Sequence, residues 1–306
     1  MTEQKRQITL PDRSVLRLSG PDSRELLQGL VSNDIERLRA DHPLYAALLT
    51  PQGKFLADFF IVLDVVEGRE NILLDCESGR AADLLRRLTM YKMRADVTIS
   101  DDSDAWSVHA LLGGKPDGIE LEGSIIFADP RLEALGYRAI LPATDTAGIL
   151  TQAGYETAPI GDYEKLRIAH GIPDGSRDIA VEKNFLLEAR LDALNGISFT
   201  KGCYVGQELT ARTKHRGAVR KMLYPVTIEG LSPEGPAPDN PPHINTVIMM
   251  DDKEAGEMRS SCGNHGIALL RTEFADRALA GDGVLTCGEA RLIPAEPDWA
   301  KEEVPA

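Results

Sequence analysis

The sequence predicts an α+β protein that ends in a small β-barrel, and two observations carry this. In the first half, apolar runs of strand length are interrupted by amphipathic helical stretches in the order β-β-β-α-β, with more strands following. After a proline-rich stretch, "LSPEGPAPDNPP", the texture changes to short strands punctuated by glycine. No internal repeat is evident.

The elements follow in chain order. "QITLPDRSVLRLSG" reads as two short strands joined by a Pro-Asp turn. "GPDSRELLQGL" carries helix-start signals at Asp22 and Ser23, with Leu26, Leu27 and Leu30 as its apolar positions. "LYAALLTPQGKFLADFFIVLD" is a hairpin, two apolar runs around a Thr-Pro-Gln-Gly turn. "NILLD" is a strand, "SGRAADLLRRLTMYKM" an amphipathic helix with Leu84, Leu85, Leu88 and Tyr91 on one side, and "ADVTIS" a strand again. Strands are expected near 106–112, 124–128 and 137–141, and a helix near 144–153. "DYEKLRIAHGIP" is a helix stopped by Gly171 and Pro173. Barrel strands are expected at 246–250, 257–261, 267–271 and 290–293. The expected division is 1–220 as two interleaved α+β lobes, 221–298 as the barrel and 299–306 as a tail.

Composition bounds the function. The chain has 306 residues, 42% hydrophobic and 27% charged, which fits a soluble globular protein of two or three domains. "MTEQKRQITLPDRS" has no apolar signal-peptide core, and no run of 18 apolar residues follows, so neither secretion nor membrane spanning is expected. Cys76, Cys203, Cys262 and Cys287 are too sparse for a disulfide framework and suit a reducing, cytoplasmic setting. A net charge of −14 argues against direct nucleic-acid or anionic-membrane binding. One stretch is locally basic: Lys201, Arg212, Lys214, Arg216, Arg220 and Lys221 face only Glu208. It is either a seat for a small anion or a solvated surface.

The chemistry concentrates at "FTKGCYVGQELTAR". Lys201 lies two residues before Cys203, a helix can begin just after it, and Gly202 and Gly206 let the backbone turn sharply. Cys203 is thus an accessible, tuned thiol or else a small packed hydrophobe. Without a second nearby thiol, no local metal site is expected. Cys262-Gly-Asn-His265 has the spacing of half a metal site, but reads as a hairpin turn. Asp58 sits in "FLADFFIVL", apolar on both faces, so its carboxylate needs a backbone N–H, an arginine or a ligand's ring N–H groups. Arg167 lies on the helix before Gly171, and Glu188 precedes the cysteine segment, inward or solvated. No Rossmann fingerprint, P-loop or Ser/His/Asp arrangement is present.

"NGISFTKGCYVGQELTARTKHRGAVRKMLYPV" closely resembles the YgfZ-type folate-binding proteins and their mitochondrial relatives that assist iron–sulfur cluster assembly. Their signature K-G-C-[FYW]-x-G-Q-E is matched by Lys201, Gly202, Cys203, Tyr204, Gly206, Gln207 and Glu208. "LLQGLVSNDI" and the hairpin segment are similar to the opening of this family and of its larger kin, the glycine-cleavage aminomethyltransferase (T-protein). "AGEMRSSCGNHGIALL" resembles their shared C-terminal barrel. The resemblance implies a three-lobed ring with ferredoxin-like elements and a small β-barrel around a central channel for tetrahydrofolate. It implies that Asp58, Arg167, Glu188 and Arg212 contact folate, and that Cys203 is the working thiol. Arg212, Lys214 or Arg216 would pair with the glutamate tail of folate. Two departures count against aminomethyl transfer. Arg138 stands where the T-protein has a pterin-binding glutamate, and Ile-Ala-His-Gly follows Arg167 in place of Leu-Glu-Ala-Gly. The implied function is a tetrahydrofolate-binding accessory factor for [4Fe–4S] proteins, partnered by assembly machinery or client enzymes. The alternatives are a folate-dependent aminomethyl- or methyltransferase and a folate carrier with a structural cysteine.

Overall fold

The computed structural model describes residues 4–116, 123–144, 146–230 and 241–301; within these, the side chains of Ala147 and Arg216 are left undescribed. Most of the expected proline-rich linker, 231–240, lies outside the described residues. The chain forms two compact units, Met1–Asp162 with Leu194–Gln207, and Tyr163–Ala193 with Glu208–Ala306. Residues 163–193 join the barrel's unit, and the stretch bearing Cys203 returns to the first.

The first unit holds two five-stranded sheets. Its strands are β1 (Arg6–Thr9), β2 (Arg13–Ser19), β3 (Leu44–Leu49), β4 (Phe55–Val66), β5 (Arg69–Glu77), β6 (Thr98–Asp101), β7 (Trp106–Leu112), β8 (Ile125–Ala128), β9 (Tyr137–Pro142) and β10 (Glu156–Thr157). Its helices are α1 (Ser23–Gln28), α2 (Ser78–Lys92) and α3 (Thr146–Gln152). One sheet runs β10-β1-β7-β9-β8, the other β3-β4-β5-β2-β6. The Pro-Asp turn after β1 therefore does not close a hairpin. It hands the chain from one sheet to the other, because β1 finds its partners in β7 and β10.

Strand register explains the layering. In the second sheet Tyr45 pairs with Phe60, Phe60 with Asp75, and Asp75 with Val15. Side chains alternate along a strand, so Asp58 and Arg13 share that face. Helix α2 lays Ala81, Leu84 and Leu88 inward and packs on β2, β5 and β6. In the first sheet Leu111, Ala139 and Leu141 form a small core with Leu150 and Tyr155. The two sheets meet through Arg138 of β9, whose Nη2 donates to Asp75 Oδ2 at 2.6 Å.

The second unit carries a closed barrel, β11-β14-β13-β12-β15-β16. Its strands are β11 (Lys221–Gly230), β12 (Val247–Met250), β13 (Lys253–Cys262), β14 (His265–Arg271), β15 (Leu285–Cys287) and β16 (Ala290–Pro294). The further helices among the described residues are α4 (Ile160–Ala169), α5 (Gly175–Asp178), α6 (Gln207–Arg216) and α7 (Thr272–Leu279). Phe274 and Ala275 of α7 fill the barrel core beside Tyr224, Val226, Met258 and Leu270. Sequence reading anticipated neither α7 nor β15. Cys262 and His265 face each other across the two-residue β13–β14 turn, as the hairpin reading expected. Among the described residues no helix is long and apolar enough to cross a membrane.

Candidate functional site

The signature residues form an arch fastened to the first unit. Ser198 N donates to Ser32 O at 3.0 Å, and Ser32 Oγ donates to Gly196 O at 2.6 Å. Asn33 Nδ2 bridges Tyr45 O and Asn195 O, both at 2.8 Å. Farther along, Val205 N donates to Gly29 O at 3.2 Å, and Gly206 lies against the β3–β4 turn. Between these fastenings Gly202 and Cys203 are exposed, whereas Tyr204 is buried. Gln207 Oε1 accepts from Tyr204 N at 3.0 Å as α6 begins, so a helix does start just past the thiol. Glu208 is the acidic residue of its first turn. The sequence reading gave Ser32 and Asn33 no role, although a Ser-Asn pair inside the apolar "LLQGLVSNDI" was a usable signal. Both are buried with hydrogen bonds that locate the arch.

Lys201 is placed differently from the expectation. Its ammonium turns to the backbone, donating to Val31 O and Asn33 O, both at 2.7 Å. Burial brings its pKa down to about 8 against an opposing pull from Asp34. The lysine therefore acts on the loop that carries the thiol. Of the four free cysteines Cys203 is exposed, Cys262 partly exposed, and Cys76 and Cys287 buried. Burial pushes the Cys76 and Cys287 thiols up to about 12 and about 11.

The polar layer between the sheets is the second feature. Asp58 is 4% exposed, and its Oδ2 accepts from the Tyr45 hydroxyl at 2.6 Å. On the neighbouring strand Asp75 is fully buried between Arg13 (Nε to Oδ1, 2.6 Å) and Arg138. Burial pushes the Asp75 carboxyl up, but the two guanidiniums outweigh it and hold it below its ordinary value. Arg138 and Arg131 lie 4.0 and 4.8 Å from the Phe60 ring centre, and Arg131 makes a forked pair with Asp129.

The remaining expected folate contacts lie in the second unit. Arg167 has all five N–H donors engaged there: Glu164 takes two, and Asp178, Ile172 O and Ser260 Oγ take one each. A folate contact would have to displace one of these, so Arg167 is a structural hub in this arrangement. Glu188 is also inward. Its Oε2 accepts from Asn184 Nδ2 at 2.6 Å and from Phe185 N at 3.0 Å, which caps the following turn. Arg212 is exposed on α6, and Lys214 pairs with Asp192 at 2.9 Å. The Arg216 side chain lies outside the described residues.

Comparison with known proteins bears on both parts. Residues 220–302 match the family described as the CAF17 C-terminal beta-barrel domain. The fold is that of a glycine cleavage system aminomethyltransferase T from Bartonella henselae. The two superpose with a TM-score of 0.76 at 13% identity, over 97% of this chain and 86% of that one. The mouse protein named iron-sulfur cluster assembly factor IBA57, mitochondrial, is 33% identical over 95% of this chain and 84% of its own length. Its human counterpart matches at 33% with the same coverage. With a third of positions identical along nearly the whole sequence, the chain belongs to the family of the IBA57 iron-sulfur cluster assembly factors.

Proposed function

We propose that the protein assists assembly or repair of [4Fe–4S] proteins, presents Cys203 to the cluster or to the assembly machinery, and binds tetrahydrofolate. The observation that carries the thiol role is the exposure of Cys203 at the top of a fastened arch, while Cys76 and Cys287 are buried. An exposed thiol is available for exchange or transient coordination, and buried thiols raised to about 11 and 12 are not. Its compartment is a reducing one, in our reading the cytoplasm; the relatives are mitochondrial by name.

The test is genetic and chemical together. In cells carrying only the Cys203→Ala protein, [4Fe–4S] enzyme activities should fall to the level of cells without it, while Cys262→Ala should preserve them. Iodoacetamide labelling near neutral pH should modify Cys203 ahead of the other three thiols. Normal enzyme activities in the Cys203→Ala cells would make the cysteine structural and favour the carrier reading.

For folate, the donor set of the first unit fits in part. The buried Asp58 carboxylate is a hydrogen-bond acceptor, and the N–H groups of a reduced pterin are donors that suit it. Arg167 and Glu188, tied up in their own unit, are not assigned to it. Calorimetry should find one tetrahydrofolate bound per chain, and Asp58→Ala should weaken it about ten- to a hundredfold, the loss of one charge-assisted hydrogen bond. Unchanged affinity would remove Asp58 from the site. The transferase alternative draws on the shared fold; against it, the sequence resemblance implies that Arg138, held here by Asp75, stands where the T-protein has a glutamate.

A further inference from the structure

We propose that Lys201 is the positioning residue of Cys203, its ammonium clamping the 199–206 arch onto the 31–33 loop so that the thiol is held outward. The inference rests on the thiol reading above, but its geometry stands by itself. Two of the three ammonium N–H groups reach Val31 O and Asn33 O, and the ammonium lies 5.1 Å from the centre of the Tyr204 ring. Those carbonyls belong to a fixed platform. Val31 forms an isolated bridge with Leu48, Ser32 N donates to Ala47 O, and Asn33 is tied to Tyr45. On the far side of the cysteine, buried Tyr204 and the Val205–Gly29 bond form the second footing.

Between the two footings only Gly202 and Cys203 are unsupported. A Cβ added at Gly202 would meet no atom within 4 Å, and Cys203 is exposed. Without the ammonium bonds, the N-terminal footing at Lys201 loses its direct tie to the 31–33 loop and keeps local bonds, such as Lys201 N to Ser198 Oγ at 3.2 Å. The thiol would then sample many positions, and ordering it against a partner would cost conformational entropy. A lysine suits this task because its apolar stem packs along the arch while its head supplies several donors.

The clamp has a pH signature of defined sign. Asp34 is the charged group that acts on the ammonium from the neighbouring loop. Burial lowers the Lys201 pKa to about 8 in the closed arch, whereas an opened, solvated lysine returns to about 10.4. The closed arch thus binds the proton less tightly than the open one, and raising the pH above about 8 favours closure.

The experiment is amide hydrogen exchange on the full chain, corrected for intrinsic rates, from pH 7 to pH 10. Lys201→Met keeps the stem and removes the donors. At pH 7 it should speed exchange at Ser198 to Val205 by about tenfold while leaving the β4 and β5 amides unchanged. In the wild type, protection of the same amides should rise by about tenfold between pH 8 and pH 10, and in Lys201→Met it should stay flat. If Lys201→Met does not fold, the wild-type profile alone decides. An arch whose exchange ignores both the substitution and the pH would overturn the clamp, whatever Cys203 does. Should Lys201→Met loosen the arch while Cys203→Ala leaves [4Fe–4S] enzymes active, the clamp stands and the thiol function falls.

Discussion

Replacing Asp75 by alanine should destabilise the first unit by roughly 3–5 kcal/mol, the scale for stripping one partner from a buried ion pair. Asp75 is fully buried and is the shared anion of Arg13 and Arg138, which contact it at 2.6 Å each. Alanine would leave both guanidiniums, 4.0 and 5.7 Å from the Phe60 ring centre, with their common carboxylate gone. Arg138→Met should cost less, about 1–3 kcal/mol, because Arg13 still satisfies the carboxylate. The fold holds the Asp75 carboxyl below its ordinary value, so its contribution is intact above about pH 4 and fades only under stronger acid. Urea unfolding at pH 7 measures both losses. If Asp75→Ala costs under 1 kcal/mol, the guanidiniums reach water and the layer is not a dry one.

This same layer marks where the sequence stopped being legible. The β3–β4 hairpin could be read because its turn residues and apolar runs are local, and Asp58 stood out as a carboxylate in a strand apolar on both faces. The barrel was legible for a similar reason, since short strands between glycines admit few other packings. Nothing local announces that β1 and β2 belong to different sheets, or that Arg138 reaches across to Asp75, 63 positions earlier in the chain. Arg167 shows the same limit. A cation on a helix of mixed pattern gives no sign that Asp178 and Glu164 will saturate it. The partners of Lys201 were not legible either. Proximity along the chain suggested the thiol, and the fold offered two carbonyls instead.

Gly206→Ala should be among the most damaging single-methyl changes in the signature, and Gly202→Ala among the mildest. Gly206 has φ +84°, a conformation that costs an L-residue about 1–3 kcal/mol. Its added Cβ would also lie 2.5 Å from Thr50 O and 2.8 Å from Leu49 Cβ. Thr50 O cannot easily withdraw, because it accepts from Gly53 N at 2.8 Å to close the β3–β4 turn. The overlap adds about 1–3 kcal/mol more, so the variant should melt well below the wild type or fail to fold. At Gly202 a Cβ enters open space and φ is not positive, so stability should change by less than about 0.5 kcal/mol. The pair separates folding from function at the arch. Gly202→Ala with wild-type melting but reduced [4Fe–4S] enzyme activity would show that a partner approaches the backbone beside Cys203 too closely for a methyl group. Wild-type activity in Gly202→Ala would instead restrict the contact to the thiol. A Gly206→Ala protein as stable as the wild type would mean that the arch does not rest on the β3–β4 turn, and the footing assigned to its C-terminal side would be lost.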